Sequence, residues 1–250
     1  MQLFYTPDIG EADVYSLNEE ESRHCVKVLR LQEGAAVQLV DGKGGLYTAE
    51  ISKADPRHCL LTITGVQREF GKRPYRLHVA IAPTKNMDRL EWFVEKATEA
   101  GIDEITPLIC KRSERRMLRT DRLFKRITAA MKQSIHAYHP VLNEPLNFSD
   151  FIKRLRVGRD DQAREGLNFI AHCDPGPKYS LKEAAGPGKD AVVLIGPEGD
   201  FTPDEIAEAE RSGFIPLGLG ESRLRTETAG LAVCFEMSFL NRTGPHLPLK

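Results

Sequence analysis

Through the first seventy residues, apolar and polar positions alternate in short runs broken by glycine. The stretch from Val37 to Ile51 reads as strand, turn, strand, and Asp41-Gly42 and Gly44-Gly45 supply the positive-φ positions of the bend. Leu60 to Val66 predicts a third strand, and only Ser22 to Leu31 looks helical. Glu69 to Pro74 is polar, contains glycine and proline, and predicts a linker.

From Tyr75 the period changes, and strands alternate with helices. Strands are expected at Leu77–Ala82, Glu104–Ile109, Phe169–His172, Ala191–Ile195 and Ile215–Leu219. Helices are expected from Asp88 to Gly101, with Glu91 completing a capping box, and from Asp121 to about Tyr138. A third opens on Thr202-Pro203-Asp204-Glu205 and stops at Gly213; a fourth is capped by Thr226 and runs to about Leu240. Asp174 to Lys189, rich in Gly, Pro and Lys, reads as a surface loop. This order implies a mostly parallel α/β sheet covered on both faces. The domains are therefore expected at 1–70 and 74–250.

Composition narrows the classes. With 41% apolar and 28% charged residues, a folded, soluble chain is expected. No apolar run approaches the ~20 residues of a membrane span, and no secretory signal is visible, so no membrane is expected as a partner. The five cysteines are scattered and never form Cys-x-x-Cys, which argues against a zinc site or disulfide framework and fits a cytoplasmic protein. The net charge of −1 hides an asymmetry: Lys111 to Arg126 holds eight Lys/Arg against two acids, whereas Asp190 to Leu240 holds ten acids against three arginines. Such a run is either a solvated helix face or a phosphate-facing stripe.

Two glycine-rich bends end apolar runs: Ile195-Gly196-Pro197-Glu198-Gly199 and Leu217-Gly218-Leu219-Gly220. Side by side at parallel strand ends, they would line a crevice with peptide groups and leucines, suited to a flat base such as adenine. Neither is a Gly-x-Gly-x-x-Gly fingerprint, and no Gly-Lys-Ser/Thr follows. Glu198, at the crevice mouth, is either a solvated acid or a contact for a ribose hydroxyl or cation. Arg225 either pairs with Glu221 or Glu227 or aims at a phosphate or a developing negative charge. The hydroxyls of Thr226 and Thr228 suit helix capping.

Gly196-Pro197-Glu198-Gly199-Asp200-Phe201, followed by Leu217 through Ala229, resembles the ribosomal RNA small subunit methyltransferase E family, of the SPOUT class. The resemblance extends to Arg23 through Arg30 and Asp41-Gly42-Lys43-Gly44, which look like that family's N-terminal PUA-like β-barrel. Lys85 and Arg89 to Gly101 look like its first methyltransferase helix, and Gln133-Ser134 like its middle motif. Two places depart from the family. The arginine usual after Gln-Ser is absent from Gln133-Ser134-Ile135-His136-Ala137, and the usual Gly-Gly-Phe is Gly199-Asp200-Phe201.

The resemblance implies an α/β knotted fold with a deep trefoil knot, a small PUA-like barrel and a homodimer. It implies S-adenosylmethionine as methyl donor, N3 of a uridine in 16S ribosomal RNA of the small subunit as acceptor, and 3-methyluridine as product. The implied cofactor residues are Ala171, His172, Ile195, Gly196, Pro197, Glu198, Gly199, Leu217, Gly218, Leu219, Gly220, Ser222, Leu224, Arg225 and Thr226. Arg225 is expected to stabilise charge on the uracil, with Glu198 or solvent taking the proton; no metal is required. Arg23, His24, Lys27 and Arg30, and separately Lys85, Lys111, Arg112, Arg115 and Arg116, are expected to meet RNA phosphates, although a plain surface role competes at each. A non-catalytic RNA-binding module and a different nucleotide-dependent enzyme are the rival readings.

Overall fold

A computed structural model describes residues 2–157 and 166–242. The chain forms two compact units, Met1–Lys72 with Thr128–His139, and Arg73–Ile127 with Pro140–Lys250.

The first unit carries β1 (Leu3–Tyr5), β2 (Val14–Ser16), α1 (Glu19–Arg23), a π-helical turn (His24–Val28), β3 (Ala36–Val40), β4 (Leu46–Lys53) and β5 (Leu60–Gln67). Its sheet runs β1-β3-β4-β5-β2, with β1 parallel to β3 and the other pairs antiparallel. The β3–β4 bend is organised by Asp41, whose Oδ1 accepts from the N–H groups of Lys43 (2.7 Å) and Gly45 (2.8 Å). Gly44 has φ +101°, and a Cβ there would lie 2.4 Å from the Tyr138 ring. Phe4, Val37, Leu39, Tyr47, Ile51 and Leu61 are buried together. A smaller cluster joins Leu3, Val40 and Leu46 to Met131 and Ala137. The strip Thr128–His139 thus belongs to this unit, although its place in the chain lies well beyond the linker.

The second unit holds β6 (Leu77–Ile81), α2 (Met87–Ala100), β7 (Glu104–Ile109), the start of α3 (Asp121–Gln133), β8 (Val141–Leu142), β9 (Leu146–Asn147), α4 (Phe148–Val157), β10 (Leu167–Ala171), α5 (Leu181–Ala184), β11 (Ala191–Ile195), α6 (Pro203–Arg211), β12 (Ile215–Leu217) and α7 (Thr226–Leu240). The sheet order is β12-β10-β11-β6-β7-β8, with β9 beside the far end of β7; every pairing is parallel. Alternate residues of each strand face opposite cores, as the two-residue period of a strand requires. Val79, Phe169 and Val193 pack with Phe93 of α2 and with Val233 and Met237 of α7. Ala80, Ile170 and Leu194 pack on the other face with Phe151 of α4 and Ile206 of α6.

Several local expectations change. Asn86, not Asp88, caps α2 by accepting from the Asp88 N–H (3.0 Å). Glu91 makes no capping box. It is buried and turned toward Arg122 (2.8 Å) and Arg126 (3.4 Å). Gly101 does end α2, at φ +95°. The Thr202/Glu205 capping box is present. The helix from Asp121 stops at Gln133 rather than near Tyr138, and Ile135 follows at φ +57°. The loop at 174–189 contains α5, opened by a Ser180/Glu183 capping box. The pattern did not reveal β1, β2, β8 or β9, whose two or three residues are too few to show a period, nor the ten-residue α4.

Candidate functional site

The strands β10, β11 and β12 end side by side, because Ala171 pairs with both Ile195 and Leu217. Their C-terminal ends open into one cleft of about 710 Å³. It is lined by Ala171 and His172, by Ile195 through Asp200, by Leu217 through Thr226, and by Arg112, Cys173, Asp174 and Lys178. All fifteen residues expected at a cofactor site therefore lie in one cleft. Its size suits a ligand of a few hundred daltons.

Backbone geometry makes the walls. Gly196 is closely packed, since a Cβ there would stand 3.1 Å from the Phe201 ring, whereas a Cβ at Gly199 would make ordinary contact with Arg112 Cβ at 3.4 Å. Gly220 sits at φ +100°, a region open to glycine without strain. The Gly218 N–H is spent on the Tyr179 carbonyl (3.0 Å). Thr226 is the first residue of α7 rather than its cap; Arg225 takes that place without a side-chain bond. The Thr226 hydroxyl instead donates to the Gly196 carbonyl (3.0 Å), joining the two bends.

Arg225 is exposed at the cleft, and its guanidinium has no ion-pair or hydrogen-bond partner among the described residues. The pairing with Glu227 does not occur: Glu227 is buried and faces Arg89 (3.7 Å). Glu198 is exposed, and its Oε1 accepts from the Lys85 N–H (3.0 Å). His172 is half-buried, and both ring nitrogens are shielded and without a hydrogen-bond partner among the described residues. Burial, reinforced by Lys178, pulls its pKa below the ordinary 6.5, against the opposite pull of Asp200, Asp174 and Glu210. Burial and Asp200 push the Cys173 thiol up.

The basic residues divide by unit. Arg23 closes α1, His24 and Lys27 lie in the π-helical turn, and Arg30 follows at φ +56°. In the second unit, Lys85 pairs with Glu114 (2.9 Å) and Lys111 with Asp204 (3.0 Å). Arg115 donates to the Lys85 carbonyl (2.9 Å) and Arg116 to that of Lys111 (3.0 Å). Arg112 turns into the cleft wall, where Nη1 donates to the carbonyls of Gly199 (2.9 Å) and Phe201 (3.1 Å). This clamp was not foreseen, nor were Cys173, Asp174 and Lys178 as lining. The first two simply follow His172 in sequence. Lys178 is carried in by the bridge between Tyr179 and Leu217, which leaves no local signal.

A family model described as an RNA methyltransferase domain matches residues 71–238, and one described as an RNA methyltransferase PUA domain matches residues 17–64. The ribosomal RNA small subunit methyltransferase E of a Synechocystis strain is 30% identical over 91% of this chain and 74% of its own length. A solved structure from Porphyromonas gingivalis, titled a "probable rRNA-methyltransferase", is 37% identical with a TM-score of 0.86, covering 96% of this chain and 98% of that one. Another, a ribosomal RNA small subunit methyltransferase E from Neisseria gonorrhoeae bound to S-adenosyl methionine, is 25% identical with a TM-score of 0.82 and the same coverage. With a family model matched over more than half its length and a curated relative at this identity, the chain belongs to the ribosomal RNA small subunit methyltransferase E family.

Proposed function

We propose that this protein transfers a methyl group from S-adenosylmethionine to N3 of a uridine in 16S ribosomal RNA of the small subunit, giving 3-methyluridine. The observation that carries this reading is the cleft itself. Three parallel strand ends and two glycine bends form a peptide-lined recess, and Arg225, whose guanidinium has no partner among the described residues, stands in its wall. Gly220, at φ +100° with open space where a Cβ would stand, leaves its rim of the cleft clear for a ligand.

The sulfonium donor supplies an already activated methyl group. The chain's own task is to bind, orient and stabilise charge. The bends at 195–199 and 217–220 would hold the adenosyl part through peptide N–H and C=O groups, and Ile195, Leu217 and Leu219 would supply apolar contact. Holding the reacting atoms in line is an entropic contribution. Uracil N3 is paired or stacked in duplex RNA, so the base must enter single-stranded or turned outward. Arg225 would stabilise the negative charge spreading over the uracil as N3 loses its proton. Glu198 is held at the mouth by the Lys85 N–H and would take that proton directly or through water.

The knot and the dimer belong to the same reading. Because β10 lies between β11 and β12, the chain crosses over β10 through α6 on one sheet face, then returns along α7 on the other. That path supports a trefoil knot, a rare feature of folds in general. Helix α7 leaves Phe235 and Phe239 exposed, a surface suited to a second copy. Residues 1–70 would act as a PUA-like RNA-binding barrel and 74–250 as the SPOUT domain. Arg23, His24, Lys27 and Arg30 would meet phosphates on the barrel, and Lys85, Lys111, Arg115 and Arg116 on the second domain. The cytoplasm, where small subunits are assembled, is the proposed location.

Methyl transfer to isolated small subunits, followed by nucleoside mass spectrometry, tests the reading. Labelled 3-methyluridine in 16S RNA is expected, at least a hundredfold reduced in Arg225→Ala. A methylated nucleoside other than 3-methyluridine would overturn the stated acceptor. Calorimetric binding of an adenosine nucleotide, with none of S-adenosylmethionine, would instead favour the other nucleotide-dependent enzyme.

A further inference from the structure

The turn after β11 carries Glu198 between two anchors. The Asp200 N–H closes the turn onto the Pro197 carbonyl (2.9 Å). Two residues later Thr202 caps α6, with Glu205 completing the box. Between these anchors, the carbonyls of Gly199 and Phe201 converge on one group. Arg112 Nη1 donates to Gly199 (2.9 Å) and to Phe201 (3.1 Å). A guanidinium Nη1 carries two N–H bonds, so both of its donors are spent on this turn. Hydrogen bonds from a charged donor are stronger than those between neutral groups.

The segment that supplies Arg112 is held in place on its own account. Ser113 is buried; its Oγ accepts from the Cys110 N–H (3.0 Å), and its N–H donates to the Cys110 carbonyl (3.1 Å), folding the chain after β7 into a tight turn. The Lys111 N–H donates to Glu205 Oε1 (2.8 Å), which ties that turn to the first turn of α6. Three residues beyond Arg112, Arg115 donates to the Lys85 carbonyl (2.9 Å), and the Lys85 N–H donates to Glu198 Oε1 (3.0 Å). Glu198 is thus held twice: its main chain lies in the turn that Arg112 clamps, and its carboxylate meets a peptide that Arg115 steadies.

We propose that Arg112 is a positioning residue rather than a phosphate contact: by holding the Gly199 and Phe201 carbonyls it sets the turn at 197–200 and so places the Glu198 carboxylate to take the uracil N3 proton. This rests on the methyltransferase reading above. A run of eight cations invites the phosphate reading for every member. At Arg112, however, a phosphate competes with two carbonyls already in place. The rate of a positioned reaction is sensitive to displacements well below the length of a bond to substrate, so a clamp on the turn acts on turnover more than on RNA affinity.

Arg112→Met keeps an apolar stem and removes the donors. In methylation of isolated small subunits, kcat is expected to fall about tenfold or more. KM for the subunits and the salt dependence of RNA binding are expected to stay as in the wild type. A phosphate contact predicts the reverse: KM rises, kcat holds, and the slope of log affinity against log salt falls by about one. That result would overturn the proposal. Glu198→Gln removes the proton acceptor and keeps an oxygen for the Lys85 N–H. With the carboxylate gone, Arg112 has nothing to place, so the double variant is expected to turn over no more slowly than Glu198→Gln alone. Losses that multiply would mean that Arg112 supports the cleft by another route, and they too would overturn the proposal, as would full activity in either single variant. Arg112→Lys keeps a charged donor and should recover part of the rate; it also stands in, with the same double-variant comparison, if Arg112→Met does not fold. A wild type that methylates no small-subunit RNA would sink the methyltransferase reading itself, an outcome separate from an active wild type with unaffected variants.

Discussion

The hydroxyl of Thr226 reaches across thirty positions of sequence to the Gly196 carbonyl, and that bond holds two otherwise separate bends together. Thr226→Val keeps the shape of the side chain and leaves the carbonyl without its partner. A loss of about 1–3 kcal/mol in urea unfolding is expected, partly restored by Thr226→Ser, together with weaker binding of S-adenosylmethionine. Equal stability of Thr226→Val and wild type would show that water replaces the hydroxyl. His172 contributes at the same scale through its depressed pKa. Its folded value lies below the unfolded value, so the unfolded chain takes up the proton first as pH falls. The stability it contributes is full above about pH 6.5 and declines as pH drops toward the folded pKa. Urea midpoints should therefore fall less steeply from pH 8 to pH 5.5 in His172→Leu than in the wild type; parallel slopes would contradict this. Arg112 marks the limit of reading single residues. Within a run of eight cations it is indistinguishable from its neighbours in sequence, yet it alone donates to the Gly199 and Phe201 carbonyls.

Among the elements, α2 and α7 show how a glycine sets a helix contact. Gly230 lies in the middle of α7, and a Cβ there would stand 2.6 Å from the Phe93 ring and 3.0 Å from Ile81. Glycine is otherwise unfavourable inside a helix by about 1 kcal/mol relative to alanine. Gly230→Ala is nonetheless expected to destabilise, by roughly 1–3 kcal/mol, because overpacking outweighs propensity. Thermal melting decides between these two terms, and a raised midpoint would mean that the helices separate freely. Helix periodicity was legible in α2, α3 and α6, where polar faces meet water. It fails in α7, which is apolar on nearly every side and leaves Phe235 and Phe239 in solvent. Capping was legible where the box is local, as at Thr202 and Glu205, and misread at Glu91, whose carboxylate finds arginines about thirty residues away.

For the whole molecule, the division of the chain departs from its linear order. Thr128–His139 supplies Met131 and Ala137 to the first unit, and Tyr138 to the space left by Gly44. A fragment of residues 1–72 therefore lacks part of its own core. It is expected to melt with lower cooperativity and at lower temperature than the same unit in the full chain, measured by circular dichroism. A fragment as stable as the intact unit would make the strip dispensable. By itself the sequence determined the two periods, the class of the sheet and the glycine bends, because backbone freedom and alternation are local properties written in neighbouring residues. It also carried the motifs that tie the chain to its family. Only the tertiary structure decided that the strand ends meet in one cleft, that Thr226 bridges the bends and Arg112 clamps one of them, and that the His172 ring nitrogens are closed off from solvent. Each depends on which residues distant in sequence come together, and neither period nor composition encodes that.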